Sequence, residues 1–229
     1  MPTPPPRARI ADSVSSTTAA RDTLLDAAER RFARQGFAAT TIKDIAGEAR
    51  LNSALLYYYF ANKEDLYHAV LRRRITGLAA DVGPALVAPV PPAEAIRRFV
   101  QAFVGFLLLH PDLPALMQRE ILDHAAAHAL PEIQANVGAL LRRFAEIIRN
   151  GQASGDFRRD TDPVHAVVSI LGQVIYAFMA QPIIQGVLLQ RGTSAPDAVW
   201  LREFGAHAAA FALRALAPDS SSHSQPRSR

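Results

Sequence analysis

Residues 41–60, TIKDIAGEARLNSALLYYYF, bring together small polar side chains and three consecutive phenols. On a helix, the small residues Asn52, Ser53 and Ala54 would let the helix start approach nucleobase edges. The hydroxyls of Tyr57, Tyr58 and Tyr59 would then reach phosphate oxygens on either side of a groove. Lys63, just beyond, sits where the positive end of a following helix would reinforce a phosphate contact. Successive helical residues point ~100° apart, so three adjacent tyrosines cannot all face a core. Phe60 and one tyrosine are expected inside, with at least one hydroxyl left outside. Ordinary packing is the alternative for the others.

A second constellation, Glu120, His124 and His128, falls at i, i+4 and i+8 and would share one helix face. A histidine pair at that spacing can hold a metal. Solvated histidines on an alanine-rich helix are the commoner outcome, so no metal site is expected. No glycine-rich phosphate loop, G-x-S-x-G elbow or H-E-x-x-H motif is present. Cysteine is absent from the 229 residues, which removes thiol catalysis, disulfides and thiolate metal sites. No catalytic residue, cofactor or enzymatic activity is expected.

The elements needed to position these residues are helices. Apolar residues recur at helical spacing almost throughout, and β-branched alternation is scarce, which predicts an all-α fold. Residues 1–17 and 217–229 read as Pro/Ser/Arg-rich disordered tails. The first helix is expected from Ala19 to Arg34, capped by Thr18, with Leu24, Ala28 and Phe32 on one face and Gly36 as its stop. Thr41-x-x-Asp44 resembles a capping box, a turn is expected near Arg50–Asn52, and a third helix at Ser53–Phe60. Asn62-x-x-Asp65 should cap a fourth helix reaching about Ala80. Val82–Pro92, with four prolines and a glycine, reads as a loop and domain boundary. Beyond it, helices are expected at about 93–109, 112–129, 132–152, 161–180 and 196–216. The resulting division is a small three-helix domain with its connector at 18–80 and a larger helical domain at 81–216.

Charge follows the same division. The net charge is +4, and residues 1–80 carry 12 Lys+Arg against 8 Asp+Glu, so the remainder is neutral. A polyanion would be drawn to the first third of the chain. The Met1–Ile10 stretch lacks the apolar core of a secretory signal, and 164–180, the most apolar segment, is interrupted by His165, Ser169 and Gln173. No membrane association is expected, and a cytoplasmic location is.

The stretch Arg21–Leu71 resembles the DNA-binding domain of the TetR/AcrR repressor family, most specifically in GFAATTIKDIA followed by LLYYYFANKEDL. The resemblance implies a helix-turn-helix at 41–60 that reads operator DNA. It would give Thr41 a phosphate contact, Lys43 a reach toward a base, and Ser53 and Ala54 the places nearest the base edges. Tyr57 and Tyr58, with Tyr59 in part, would hold the DNA backbone, and Lys63 would anchor the flank. One residue departs from the family pattern: Arg50 stands where the turn usually has glycine, and a left-handed turn costs a side-chain-bearing residue ~1 kcal/mol or more.

Residues 93–216 are similar to the family's C-terminal half more loosely, in helix layout and in HPDLPALMQREI and GDFRRDTDP. The resemblance implies an effector cavity and a two-fold interface there. Phe103, Phe106, Leu107, Met117, Ile121, Phe144, Ile148 and Tyr176 are the candidate walls for a small apolar or amphipathic effector, with plain core as the competing reading. The helices at 163–180 and 196–216, rich in alanine around Phe204 and Phe211, are expected to pair across a homodimer axis as a four-helix bundle; packing inside one subunit is the alternative. The expectation is therefore a homodimeric regulator, most simply a repressor, that leaves double-stranded operator DNA when the effector binds. Whether it represses or activates depends on where the operator lies relative to its promoter.

Overall fold

The computed structural model describes residues 6–124, 131–190, 192 and 196–218, with side chains described from residue 18 onward except at 123, 124, 132 and 133. Among the described residues every regular element is an α-helix: α1 Pro6–Ala39, α2 Ile42–Ala49, α3 Ser53–Tyr59, α4 Lys63–Val87, α5 Pro92–Leu109, α6 Leu113–His124, α7 Pro131–Ser154, α8 Pro163–Met179, α9 Gln181–Gln190 and α10 Ala198–Leu216. They form two compact units. The first takes the described residues within 1–74 and 115–133, the second those within 75–114 and 134–229.

In the first unit the expected face of α1 is inside: Leu24, Ala28 and Phe32 are fully buried, together with Ile45 of α2, Leu56 of α3 and Leu66 and Val70 of α4. Gly36 breaks α1 with φ 81°, a left-handed conformation that glycine adopts without steric cost. Ion pairs tie the helices together. Glu48 of α2 meets Arg30, Arg31 and Arg34 of α1, while Glu29 of α1 meets Arg73 and Arg74 of α4. Burial pushes the Glu29 carboxyl above its ordinary range, against the opposing pull of Arg74 and Arg73. Five arginines that the charge count assigned to a polyanion thus face carboxylates of the same unit.

In the second unit α5 turns Ile96, Phe99, Val100, Phe103, Val104, Phe106 and Leu107 inward. α10 packs against α5 and α8, and Gly205 makes its close approach possible, since a Cβ there would lie 2.7 Å from Val104 Cγ2. The Phe99 and Phe144 rings meet at 4.4 Å.

Several boundaries differ from expectation. α1 starts at Pro6, inside the segment 1–17 read as a disordered tail, so Thr18 is a helix-interior residue and not a cap. No glycine or proline follows Pro6 until Gly36, and proline suits a first helical turn because its missing N–H would be unpaired there anyway. α4 runs to Val87 through Pro84, which leaves only 88–91 of the expected 82–92 loop. Burial of Val82, Ala85 and Leu86 holds those last turns despite the lost backbone donor. α9 was not expected at all: its ten residues carry no charge, and none is buried.

Candidate nucleic-acid interface

The segment 41–60 is built by its own side chains. Thr41 Oγ1 accepts the Asp44 N–H at 3.1 Å, and Asp44 Oδ2 accepts the Thr41 N–H at 3.1 Å, closing the capping box that opens α2. The Thr41 hydroxyl also donates to Asp44 at 2.6 Å. These bonds, the hydroxyl's first, hold the Asp44 carboxyl below its usual range. α2 ends on Arg50 at φ 55° and ψ 36°, whose N–H returns to Ala46 and Gly47 carbonyls. The left-handed conformation expected of this turn is thus adopted by Arg50 itself, with its N–H still bonded to the end of α2. Asn52 then caps α3, accepting the Ala54 N–H at 2.8 Å.

α3 is anchored by a single buried residue, Leu56, with Phe60 buried just past its end. With ~100° between neighbours, Ala54 and Tyr58 lie on the side away from Leu56 and Tyr57 on its flank, while Ser53, one turn before Leu56, lies nearer the buried side. Tyr57 is 59% and Tyr58 74% exposed. Ala54 is exposed, Ser53 half-buried, and Tyr59 half-buried with its ring against Tyr58 and Phe60. One tyrosine of three thus leans inward. Thr41 and Lys43 are exposed at the start of α2.

Lys63 has a more constrained setting. Its ammonium donates to the Phe37 carbonyl at 2.9 Å and the Thr40 carbonyl at 3.0 Å, and lies 4.3 Å from the Phe37 ring centroid. Any phosphate contact from Lys63 or from the Thr41 hydroxyl therefore shares the group with bonds inside the chain. Sequence reasoning missed this, because the spacing of Lys63 from Phe37 and Thr40 carries no periodic signal.

The effector candidates are not brought together as one set. Phe103, Phe106, Leu107, Phe144 and Ile148 are buried in the second unit. Tyr176, in the same unit, is 63% exposed, because its position on α8 falls opposite the buried Val167 and Val174. Met117 and Ile121 belong to the first unit, and Ile121 is 59% exposed. A groove of 270 Å³ does exist in the second unit, lined by His165, Ser169, Gln173, Ile170, Phe211 and Leu216 among others, none of them a candidate wall. Glu120 is buried and bonded to Tyr67, while the His124 side chain and His128 lie outside the described residues. Among the described residues no three His, Cys, Asp or Glu gather as a metal site would require.

Comparison with known proteins bears on both units. Residues 24–70 match the model for bacterial regulatory proteins of the tetR family, and residues 92–204 match the tetracyclin repressor-like C-terminal domain. The HTH-type transcriptional repressor NicS of Pseudomonas putida is 30% identical over 152 residues, covering 66% of this chain and 71% of that one. The solved structure of the ketosteroid transcriptional regulator KstR2 of Mycobacterium tuberculosis superposes with a TM-score of 0.71 at 22% identity, over 86% of this chain and 94% of that one. AibR, solved in complex with isovaleryl coenzyme A and operator DNA, gives a TM-score of 0.59 at 22% identity, over 70% and 86%.

Proposed function

The chain belongs to the TetR family of bacterial transcriptional regulators, and from that premise we propose that it is a homodimeric repressor whose α3 helices read a two-fold operator until a small molecule releases them. One observation carries the reading: Tyr57 and Tyr58 stand in solvent beside Ala54, off the side of α3 that carries its only buried residue, Leu56. Two large aromatic hydroxyl side chains left mostly exposed on a seven-residue helix gain little from packing beyond the Tyr58–Tyr59 ring contact. They are suited to clasp the sugar–phosphate walls while Ser53, Ala54 and Lys43 meet base edges.

Exposed apolar residues on the last helices support a dimer. Val164, Val168 and Tyr176 of α8 and Phe211 of α10 are each more than half exposed, and α8 packs beside α10. Pairing these faces with a second copy buries them in a four-helix bundle. Two recognition helices ~34 Å apart would then match successive major grooves. Effector release needs only a ligand with higher affinity for the state that does not fit the operator. α4 is shared by the two units, 63–74 in one and 75–87 in the other, so it offers a covalent route between reading and sensing. The effector in this reading is a small apolar or amphipathic molecule, and the groove lined by Ile170, Phe211 and Leu216 with His165, Ser169 and Gln173 offers both kinds of contact. No catalytic step enters this reading, and work on chromosomal DNA places the protein in the cytoplasm.

Selection of bound duplexes from a random pool tests it. The expected product is a palindrome with half-sites one helical turn, or a multiple of a turn, apart. Failure to enrich any duplex, or enrichment of sites without two-fold symmetry, would overturn it.

A further inference from the structure

Glu120 is fully buried on α6, far along the chain from the 24–70 stretch that matches the family's DNA-binding model. The Tyr67 hydroxyl donates to its Oε2 at 2.9 Å. A buried carboxyl group is costly unless such bonds satisfy it, so this contact fixes both partners. The Tyr67 ring stands edge-on to Phe32 at 4.9 Å and meets Phe37 at 5.1 Å. Phe37 lies beneath the Lys63 ammonium, which also bonds the Phe37 and Thr40 carbonyls. Contacts therefore run unbroken from Glu120 to Lys63 and to the residue before Thr41.

The neighbouring residue holds the same segment from its other end. Arg119 Nε donates to the Ala33 carbonyl at 2.9 Å and its Nη2 to the Arg34 carbonyl at 2.8 Å. These are among the last carbonyls of α1 before Gly36 breaks it, where orphan acceptors need a donor. The chain from 33 to 40 leads directly into Thr41. Two consecutive α6 residues thus bracket the short segment that carries Thr41 and seats Lys63.

Building on the operator reading above, we propose that Arg119 and Glu120 are positioning residues for DNA binding: they hold the 33–40 segment so that Lys63 and Thr41 face the operator backbone, and the reading head is completed by α6. A purely structural buried pair would share the loss of stability on mutation but not the loss of a phosphate contact. The number of phosphates neutralised sets how steeply affinity falls with salt, so the salt slope separates the two roles.

The experiment uses the full chain and the duplex that the wild type selects, with affinity measured across a salt series and folding followed by thermal melting. Tyr67→Phe removes a single oxygen and Glu120→Ala removes the carboxyl. Each is expected to weaken binding about tenfold and to reduce the salt slope by about 1, as Lys63→Ala does. The Tyr67→Phe, Glu120→Ala double variant should bind no worse than the weaker single. Glu120→Gln, whose amide oxygen can still accept from Tyr67, should stay near wild type. If Glu120→Ala does not fold, Tyr67→Phe carries the test alone. A folded Tyr67→Phe with wild-type affinity and slope overturns the proposal, and so does weaker binding at an unchanged slope. A wild-type chain that enriches no duplex overturns the operator reading itself, and this inference with it.

Discussion

Both units have apolar interiors drawn from several helices, but they differ around the segment read as functional. In the first, the helix-turn-helix is shaped by polar side chains bonded to backbone groups a few residues away: Thr41 with Asp44, Asn52 with Ala54, and Asn62 with the Asp65 N–H at 2.8 Å. The second is fastened by apolar side chains from helices distant in sequence, such as Phe99 on Phe144 and Val104 over Gly205. Local bonds fix an outward surface with few buried groups, as α3 needs with Leu56 alone inside. Long-range packing instead fixes a closed apolar interior. Under the reading proposed above, the first arrangement suits an outward surface that meets a DNA backbone.

The largest expected effect tests the second unit. Phe144→Ala removes a fully buried ring and should cost about 3–5 kcal/mol of stability, measured by denaturant unfolding. The salt slope of the fraction that remains folded should not change. A loss below about 1 kcal/mol, outside the range for a packed aromatic, would show that Phe144 borders an effector cavity, and the two units would then differ more sharply still. Next comes Thr41→Ala, which breaks the capping box and should cost ~1 kcal/mol while weakening operator binding. An unchanged melting temperature would show that tertiary packing, not the cap, holds α2.

The smallest effect is on pH. The Thr41 hydroxyl and backbone bonds lower the Asp44 carboxyl below its ordinary 3.8. The fold therefore favours the ionised form. Its contribution is fully present above 3.8 and is lost as pH falls through the depressed value. Asp162, which caps α8, is lowered in the same sense by the N–H groups of His165 and Val164. Melting curves between pH 7 and 3 should show a shallower acid loss in Asp44→Asn than in the wild type. Equal curves would mean that the cap at Asp44 contributes nothing.

What the sequence revealed follows the same contrast. The caps at Thr41 and Asn62 and the inward face of α1 were legible because each depends on residues within a few positions. The left-handed turn at Arg50 was legible through the family pattern. α9 and the passage of α4 through Pro84 were not, since burial at Val82 and Leu86 overrode the local breaker. The basic excess of the first third overstated what is free for DNA, because Arg30, Arg31, Arg34, Arg73 and Arg74 have carboxylate partners. The reach of Glu120 to Tyr67, 53 residues apart, has no spacing rule to betray it. Of the residues proposed to face DNA, an outward tyrosine was foreseeable from helical geometry alone, though not which of the three turns inward, and the internal bonds of Lys63 were not foreseeable.

The measurement closest to the central claim compares the wild type with a Tyr57→Phe, Tyr58→Phe double variant on the selected duplex and on several altered ones. Loss of both hydroxyls should weaken binding about tenfold, by a similar factor on every duplex, at an unchanged melting temperature. Wild-type affinity from that folded variant would contradict the assignment of the α3 tyrosines to the operator backbone.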